Sequence, residues 1–234
     1  MLLLNRDEFF KRPTERAKFR LVREGVKILL PLDLARPEHG TWMGVSTDAK
    51  IAVLVNYSEK DDTRNVKLQS RGILPISYLS SGEKSEDEWL EDLQHEIAVD
   101  GKHEVSLRDI GGFLLLYGKL SLNEEGKLNR LHVLSNRGDR GVIHEAGTGE
   151  GIRYHTTFGL LNSLYYDPWP KVKLAEKLLL EAVSRSVKSG DLREQFVEAC
   201  FEVLSTKRFD PSVATDTGMS FEAKLKELRK SIFI

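Results

Sequence analysis

Trp42-Met43-Gly44-Val45-Ser46, then Thr47-Asp48-Ala49-Lys50, then Ile51-Ala52-Val53-Leu54-Val55-Asn56-Tyr57: two β-rich runs flank a short polar break. Val and Ile dominate the second run, and such side chains suit a pleated surface. The polar break between them predicts an antiparallel hairpin. The run over 51–55 is apolar at every position, which points to a buried strand.

Working outward, residues 58–70 are polar and without a period, and read as an exposed loop. Residues 86–97 predict an acidic helix with Trp89, Leu93 and Ile97 on one stripe. Phe113–Tyr117 and Leu131–Leu134 predict a second hairpin, turning in the region of Asn123 to Gly126. Pro168 and Pro170 mark a helix start. After them Ala175, Leu178, Leu179, Ala182, Val183 and Val187 recur at helical spacing. Gly190-Asp191 ends that helix and is expected to cap the next. There Leu192, Phe196, Cys200 and Val203 form a second apolar stripe. This pair reads as an antiparallel helical hairpin laid on a sheet. Ser231-Ile232-Phe233-Ile234 reads as the start of a strand, as does the apolar Met1-Leu2-Leu3-Leu4. Strands first and paired helices later describe a layered α+β domain.

Composition sets the outer limits. The chain has 234 residues, 40% hydrophobic and 30% charged, enough for a real core. A formal net charge of -1 selects no polyanion and no membrane by whole-molecule electrostatics, and no nucleic-acid partner is expected. Residues 1–27 nevertheless carry eight Lys/Arg against four Asp/Glu, read here as solvated surface. The single cysteine, Cys200, allows no internal disulfide and points to a reducing compartment. No apolar run approaches the ~20 residues of a membrane helix.

Several groups could carry chemistry. Asn5-Arg6-Asp7-Glu8 places four polar side chains directly after an apolar run. Arg beside Asp can hold a carboxylate or orient a nucleophile, although a turn with surface charges explains the same residues. Asn56 ends an apolar strand, where a neutral amide can donate to an oxyanion. The plainer reading is a buried Asn satisfying its turn. Asn162 repeats the situation in Gly159-Leu160-Leu161-Asn162-Ser163. Gly147-Thr148-Gly149-Glu150-Gly151 is read as a flexible turn, because Arg153–Thr157 after it reads as a strand and a phosphate loop needs a helix there. The six histidines lack metal-ligand spacing, so no metal site is expected. Cys200 lies on an apolar stripe and reads as core.

Asn5-Arg6-Asp7-Glu8-Phe9-Phe10-Lys11-Arg12-Pro13 resembles the signature of the NRDE family, also called the transport and Golgi organisation family. Gly40-Thr41-Trp42-Met43-Gly44-Val45-Ser46, Asn56-Tyr57 and Ser70-Arg71-Gly72 resemble its following blocks. Gly159–Ser163 with Pro168-Trp169-Pro170-Lys171 resembles another, and all five occur in the family's order. The resemblance implies an N-terminal-nucleophile (Ntn) hydrolase-like fold, an αββα four-layer sandwich, with residues 1–234 forming one domain. It implies that Arg6 and Asp7 hold a nucleophile, that Asn56 is an oxyanion donor and that Asn162 is a second site amide, all in one cleft.

The family's N-terminal Cys strand and its C-terminal hairpin with a Y-G-T-R block are absent here. The expected fold is therefore incomplete, and the chain is not expected to act as an Ntn-type cysteine amidohydrolase as it stands. The function implied is a role in Golgi organisation and protein secretion, through handling of haem or a lipid-like or other small molecule. Haem as a cofactor would need an axial ligand, for which His39 and His155 are the candidates. The expected localisation is cytoplasmic, with peripheral association to the Golgi or mitochondria and no transmembrane segment.

Overall fold

A computed structural model describes residues 2–6, 8, 11–57, 70–95, 97–99, 103–105, 107, 110–126, 128–129, 131–137, 158–163, 167–208, 212–228 and 230–232. The chain packs as two compact units. A sheet unit comprises Phe10–Ile152 with Asn162–Tyr166, and a helical unit comprises Met1–Phe9, Arg153–Leu161 and Asp167–Ile234.

The sheet unit is built on six antiparallel strands in the order β1-β2-β3-β4-β7-β8. These are β1 (Thr14–Arg23), β2 (Val26–Asp33), β3 (Met43–Ser46), β4 (Lys50–Asn56), β7 (Phe113–Lys119) and β8 (His132–Ser135). A short separate pair, β5 (Ile97–Val99) and β6 (His103–Val105), completes its strands. The expected β3–β4 and β7–β8 hairpins are present, the second turning through Gly126 in the left-handed region at φ 73°. The topology is a mixed α+β one with no parallel pairing among the described strands.

Two helices lie on one face of this sheet: α1 (Ile73–Leu79) and α2 (Glu86–His95). Ile28, Leu30, Ala52, Leu54, Phe113, Leu115, Tyr117 and Leu134 from the strands meet Leu74, Tyr78, Leu79, Trp89, Leu90 and Leu93 from the helices. Tyr78, Trp89 and Tyr117 stack edge-on or tilted with centroids 4.9 to 5.1 Å apart, the geometry that ring quadrupoles favour. Gly44 is small because the Leu79 side chain occupies the space above it, 2.7 Å from where a Cβ would stand. α2 begins with a capping box. The Ser85 hydroxyl accepts from the Glu88 amide, and the Glu88 carboxylate accepts from the Ser85 amide.

The opposite sheet face is buried at its centre too, since Ile51, Val53, Leu114, Leu116 and Val133 are all inaccessible. That is why β4 and β7 read as unbroken apolar runs instead of alternating ones.

The helical unit pairs α3 (Pro170–Ser189) with α4 (Arg193–Leu204), followed by α5 (Ser212–Thr215) and α6 (Phe221–Leu228). Pro170 stands at the first turn of α3, where its missing N–H costs nothing, and Gly190 closes the helix at φ 68°. Ala182, Ala199, Val203 and Ile232 form the buried centre, with Leu174, Ala175 and Leu178 packed on it.

Thr14–Arg23 and Val26–Asp33 are strands joined at Gly25 that were not anticipated, although most of Thr14–Arg23 is exposed, as the solvated-surface reading of residues 1–27 expected. Ile73–Leu79 is helical and was not anticipated either. Five readings are corrected. Residues 2–6 carry no strand; the Asn5 amide instead donates to the Leu204 carbonyl at 3.0 Å, tying the segment to the end of α4. Ser231 and Ile232 form a bend, with the Ile232 amide on the Thr206 carbonyl, so no strand begins there. Asp191 does not cap α4: Leu192 stands at that position, and its backbone N–H donates to the Gln195 side chain at 2.8 Å. Val187 lies outside the buried stripe of α3 and is exposed. Ile97, the expected end of α2, begins β5 instead. Gly147–Gly151 and Arg153–Thr157 lie outside the described residues.

Candidate functional site

β4 runs out at Asn56, and what stops it is visible in the hydrogen bonds. Asn56 is the last register partner of β7, opposite Phe113. The next amide, of Tyr57, donates to the Gly112 carbonyl at 2.9 Å, so the strand closes on the glycine turn that precedes β7. The same Gly112 oxygen accepts from Arg71 Nη1 at 2.8 Å. The guanidinium reaches it because residue 111 is a glycine: a Cβ there would stand 3.2 Å from the Arg71 Cζ. Asn162 Nδ2 donates to the Asn56 carbonyl at 2.7 Å.

A second contact joins the start of β3 to the start of α1. Gly40 and Gly72 pack backbone on backbone: a Cβ on either would lie within 3 Å of the other's Cα. Their approach lets the Thr41 amide donate to the Gly72 carbonyl at 2.9 Å. The buried Thr41 hydroxyl lies 2.7 Å from the Pro31 carbonyl and 2.9 Å from that of Met43, and donates to one of them. Residues 40–41, 56–57, 70–72, 111–112 and 162, scattered over more than a hundred positions, thus meet at one rim of the sheet.

Asn136 holds the turn behind that rim. It is wholly buried at the end of β8. Its Nδ2 faces the carbonyls of Leu107 at 2.8 Å, Ile110 at 3.0 Å and Gly111 at 3.3 Å, and its Oδ1 accepts from the Phe113 amide at 3.1 Å. Arg137 Nη2 donates to the Ile110 carbonyl at 3.2 Å. Neither Asn136 nor Arg71 was singled out from sequence. An Asn directly after the short apolar run of β8 was the available signal, of the same kind that drew attention to Asn56.

The expected site residues are placed as follows. Asn56 and Asn162 are brought together, through one side chain and one backbone oxygen. Asn56 is exposed, so the reading of a buried or dry amide at that position is corrected. The strand ends in solvent because its ladder partner Phe113 starts β7 there. Asn5, Arg6 and Glu8 belong to the helical unit, and Asp7 lies outside the described residues. Cys200 is buried on α4, and burial pushes its thiol up from the ordinary value, the opposite of what a nucleophile needs.

The far end of the sheet is also polar, but its groups are spent on structure. The β3–β4 turn passes through Ala49 at φ 68°. Burial raises the Asp48 carboxyl, yet hydrogen bonds from Ser46 and from Arg23 Nη2 at 2.9 Å outweigh it and hold Asp48 below the usual range. Lys50 is buried, and desolvation lowers its ammonium. Its Nζ donates to Ser81 Oγ at 2.6 Å and to the Lys84 carbonyl at 3.3 Å, and lies 4.9 Å over the Tyr78 ring.

No group of three or more His, Cys, Asp or Glu among the described residues is placed to hold a metal ion. Haem does not fit the described candidate. His39 is exposed at φ 46° on a turn closed by its own amide on the Arg36 carbonyl at 3.1 Å, whereas haem needs an enclosed apolar wall beside its axial ligand. His155 lies outside the described residues. No described helix is long and apolar enough to cross a membrane.

A family model described as Transport and Golgi organisation 2 matches residues 1–234. The Homo sapiens Transport and Golgi organization protein 2 homolog is 32% identical over 222 residues, 93% of this chain and 70% of its own length. The Bos taurus homolog of the same name is 32% identical over 186 residues, 79% of this chain and 58% of its own length. An uncharacterized protein of Saccharomyces cerevisiae is 26% identical over 223 residues, 92% of this chain. The chain spans 67% of that yeast relative's length and 58% of the bovine one's.

Proposed function

Because the chain belongs to the transport and Golgi organisation 2 family, we propose that it acts in Golgi organisation and protein secretion by binding a small or lipid-like ligand at the rim where Asn56, Asn162 and Arg71 meet. The observation that carries this reading is the shared hydrogen bonding of four separate sequence blocks around Gly112 and Asn56. A rigid rim offering amides and a guanidinium suits the polar head of such a ligand. The fold we infer behind it is the Ntn-like αββα sandwich. Its support is the buried second face of β4 and β7, which calls for a further layer there.

A binding role is favoured over amide hydrolysis because one Nδ2 hydrogen of Asn162 is already committed to the Asn56 carbonyl. Cytoplasmic residence with peripheral association to the Golgi or mitochondria belongs to the same proposal.

The test is complementation. In cells lacking the protein, the unaltered chain should restore release of a secreted cargo, and Asn162→Ala should not. The Asn162 bond is solvent-exposed, so its loss should cost less than about 1 kcal/mol of stability. Full restoration by a folded Asn162→Ala chain would show that the rim is not the working site.

A further inference from the structure

β1 is an edge strand, pairing with β2 and with no other strand among the described residues. Its outward side chains follow from register. Ile28 and Leu30 face the helices, so Leu29 and Lys27 face the other way, and so do their partners Phe19 and Leu21. Phe19 is 61% exposed and Leu21 68%. Leu29 and its partner Val45 on β3 continue the patch, half-buried. The centre of this sheet face is covered, so the open part is a corner formed by β1, β2 and β3.

The segment that forms the corner is rich in cations. Residues 11–27 hold Lys11, Arg12, Arg16, Lys18, Arg20, Arg23 and Lys27, against Glu15 and Glu24. Four of the seven are internally paired: Arg12 with Asp33, Lys18 and Arg20 with Glu15, Arg23 with Asp48 and Glu83. Lys11, Arg16 and Lys27 are exposed and make no ion pair among the described residues. Lys27 stands beside Leu21 on the apolar face itself.

The chemistry separates two occupants. A second copy adding its own β1 antiparallel about Phe19 would set Lys18 against Arg20 twice over, and like charges opposite one another are destabilising. Register shifts between Glu15 and Lys18 and between Leu21 and Arg23 further interrupt the edge a partner strand would need. An anionic lipid surface meets no such penalty. It attracts the unpaired cations and accepts large apolar side chains into its headgroup–acyl boundary. We infer that this corner docks on an anionic bilayer, with Phe19 and Leu21 inserted and Lys11, Arg16 and Lys27 against the lipid head groups.

Co-sedimentation with phosphatidylcholine vesicles, with and without phosphatidylserine, tests this on the whole chain. Binding should require phosphatidylserine and fall as salt is raised. The triple variant Lys11→Gln, Arg16→Gln, Lys27→Gln should bind roughly fivefold more weakly per cation removed, on the order of a hundredfold in all. Phe19→Ser with Leu21→Ser should abolish binding while lowering the thermal melt only slightly, because both side chains are mostly exposed. Equal binding to both vesicle types, or binding insensitive to the two variants, overturns the proposal. So does a dimer in light scattering that the Ser variant converts to a monomer. Phe19 is in register with Leu29, Val45 and Ile51, away from the Asn56 end of β4, so failure of the Ser variant leaves the ligand rim to be judged by its own complementation assay.

Discussion

Asn136→Ala removes the buried amide that spans the turn leading into β7. The native amide sits at zero exposure, donating to carbonyls among Leu107, Ile110 and Gly111 and accepting from the Phe113 N–H. An alanine leaves that N–H and up to two carbonyls, those of Leu107 and Gly111, without this partner where water does not reach, while the Ile110 carbonyl keeps Arg137. Each orphaned group costs about 1–3 kcal/mol, with carbonyls at the low end because a second lone pair gives them other options. The total is about 3–5 kcal/mol, a large share of a typical domain's ~5–15 kcal/mol. Urea unfolding should show the midpoint falling with little change in slope, and the Phe113 amide should lose protection from hydrogen exchange. Asn136→Asp should be as damaging near neutral pH, since a carboxylate would face carbonyl oxygens. It should regain stability relative to the native chain in acid, where a protonated carboxyl can donate again. A loss under about 1 kcal/mol for the Ala variant, with Phe113 still protected, would refute the reasoning and show that solvent or a neighbour replaces the amide.

Three further outcomes are expected. Gly72→Ala places a Cβ 2.9 Å from the Gly40 Cα, backbone against backbone, and should destabilise the chain by about 1–3 kcal/mol or more in a thermal melt; Gly40→Ala should do the same, and the two losses should not add. Asp48 is held below its ordinary value, so its contribution is present above the unfolded carboxyl pKa and is lost as pH falls through the lower folded one; Asp48→Asn should flatten that part of the acid-unfolding curve. Lys50 is lowered by burial, so between its folded value and the unfolded value near 10.5 the unfolded chain holds more protons and stability rises with pH; Lys50→Met should remove that alkaline rise, measured as urea midpoints across the range.

Elements with strong local signals were legible. Pro170 and Gly190 bound α3 at the positions their backbone chemistry favours. The 42–57 hairpin announced itself through β-rich runs on either side of a polar break, and the five sequence blocks pointed to the family that the whole-chain match bears out. β1 was missed for a physical reason: an edge strand alternates charges with apolar residues and so resembles solvated surface. α1 was missed because seven residues are too short to show a helical period.

What the amino-acid order determined by itself was the local conformations, the apolar character of β4 and β7, and the family. What only tertiary structure decided was which distant segments share hydrogen bonds. β7 sits beside β4 although some sixty residues separate them, and no local rule selects that pairing. Once made, it sets Gly112 against Tyr57, admits the Arg71 guanidinium over Gly111 and buries Asn136. It also leaves Asn56 at an exposed strand end with Asn162 on its carbonyl. An asparagine reads the same in sequence whether it is a buried hub, like Asn136, or a solvent-facing one, like Asn56. The difference lies in whether the chain around it closes out water, and only the packed sheet and its turns can do that.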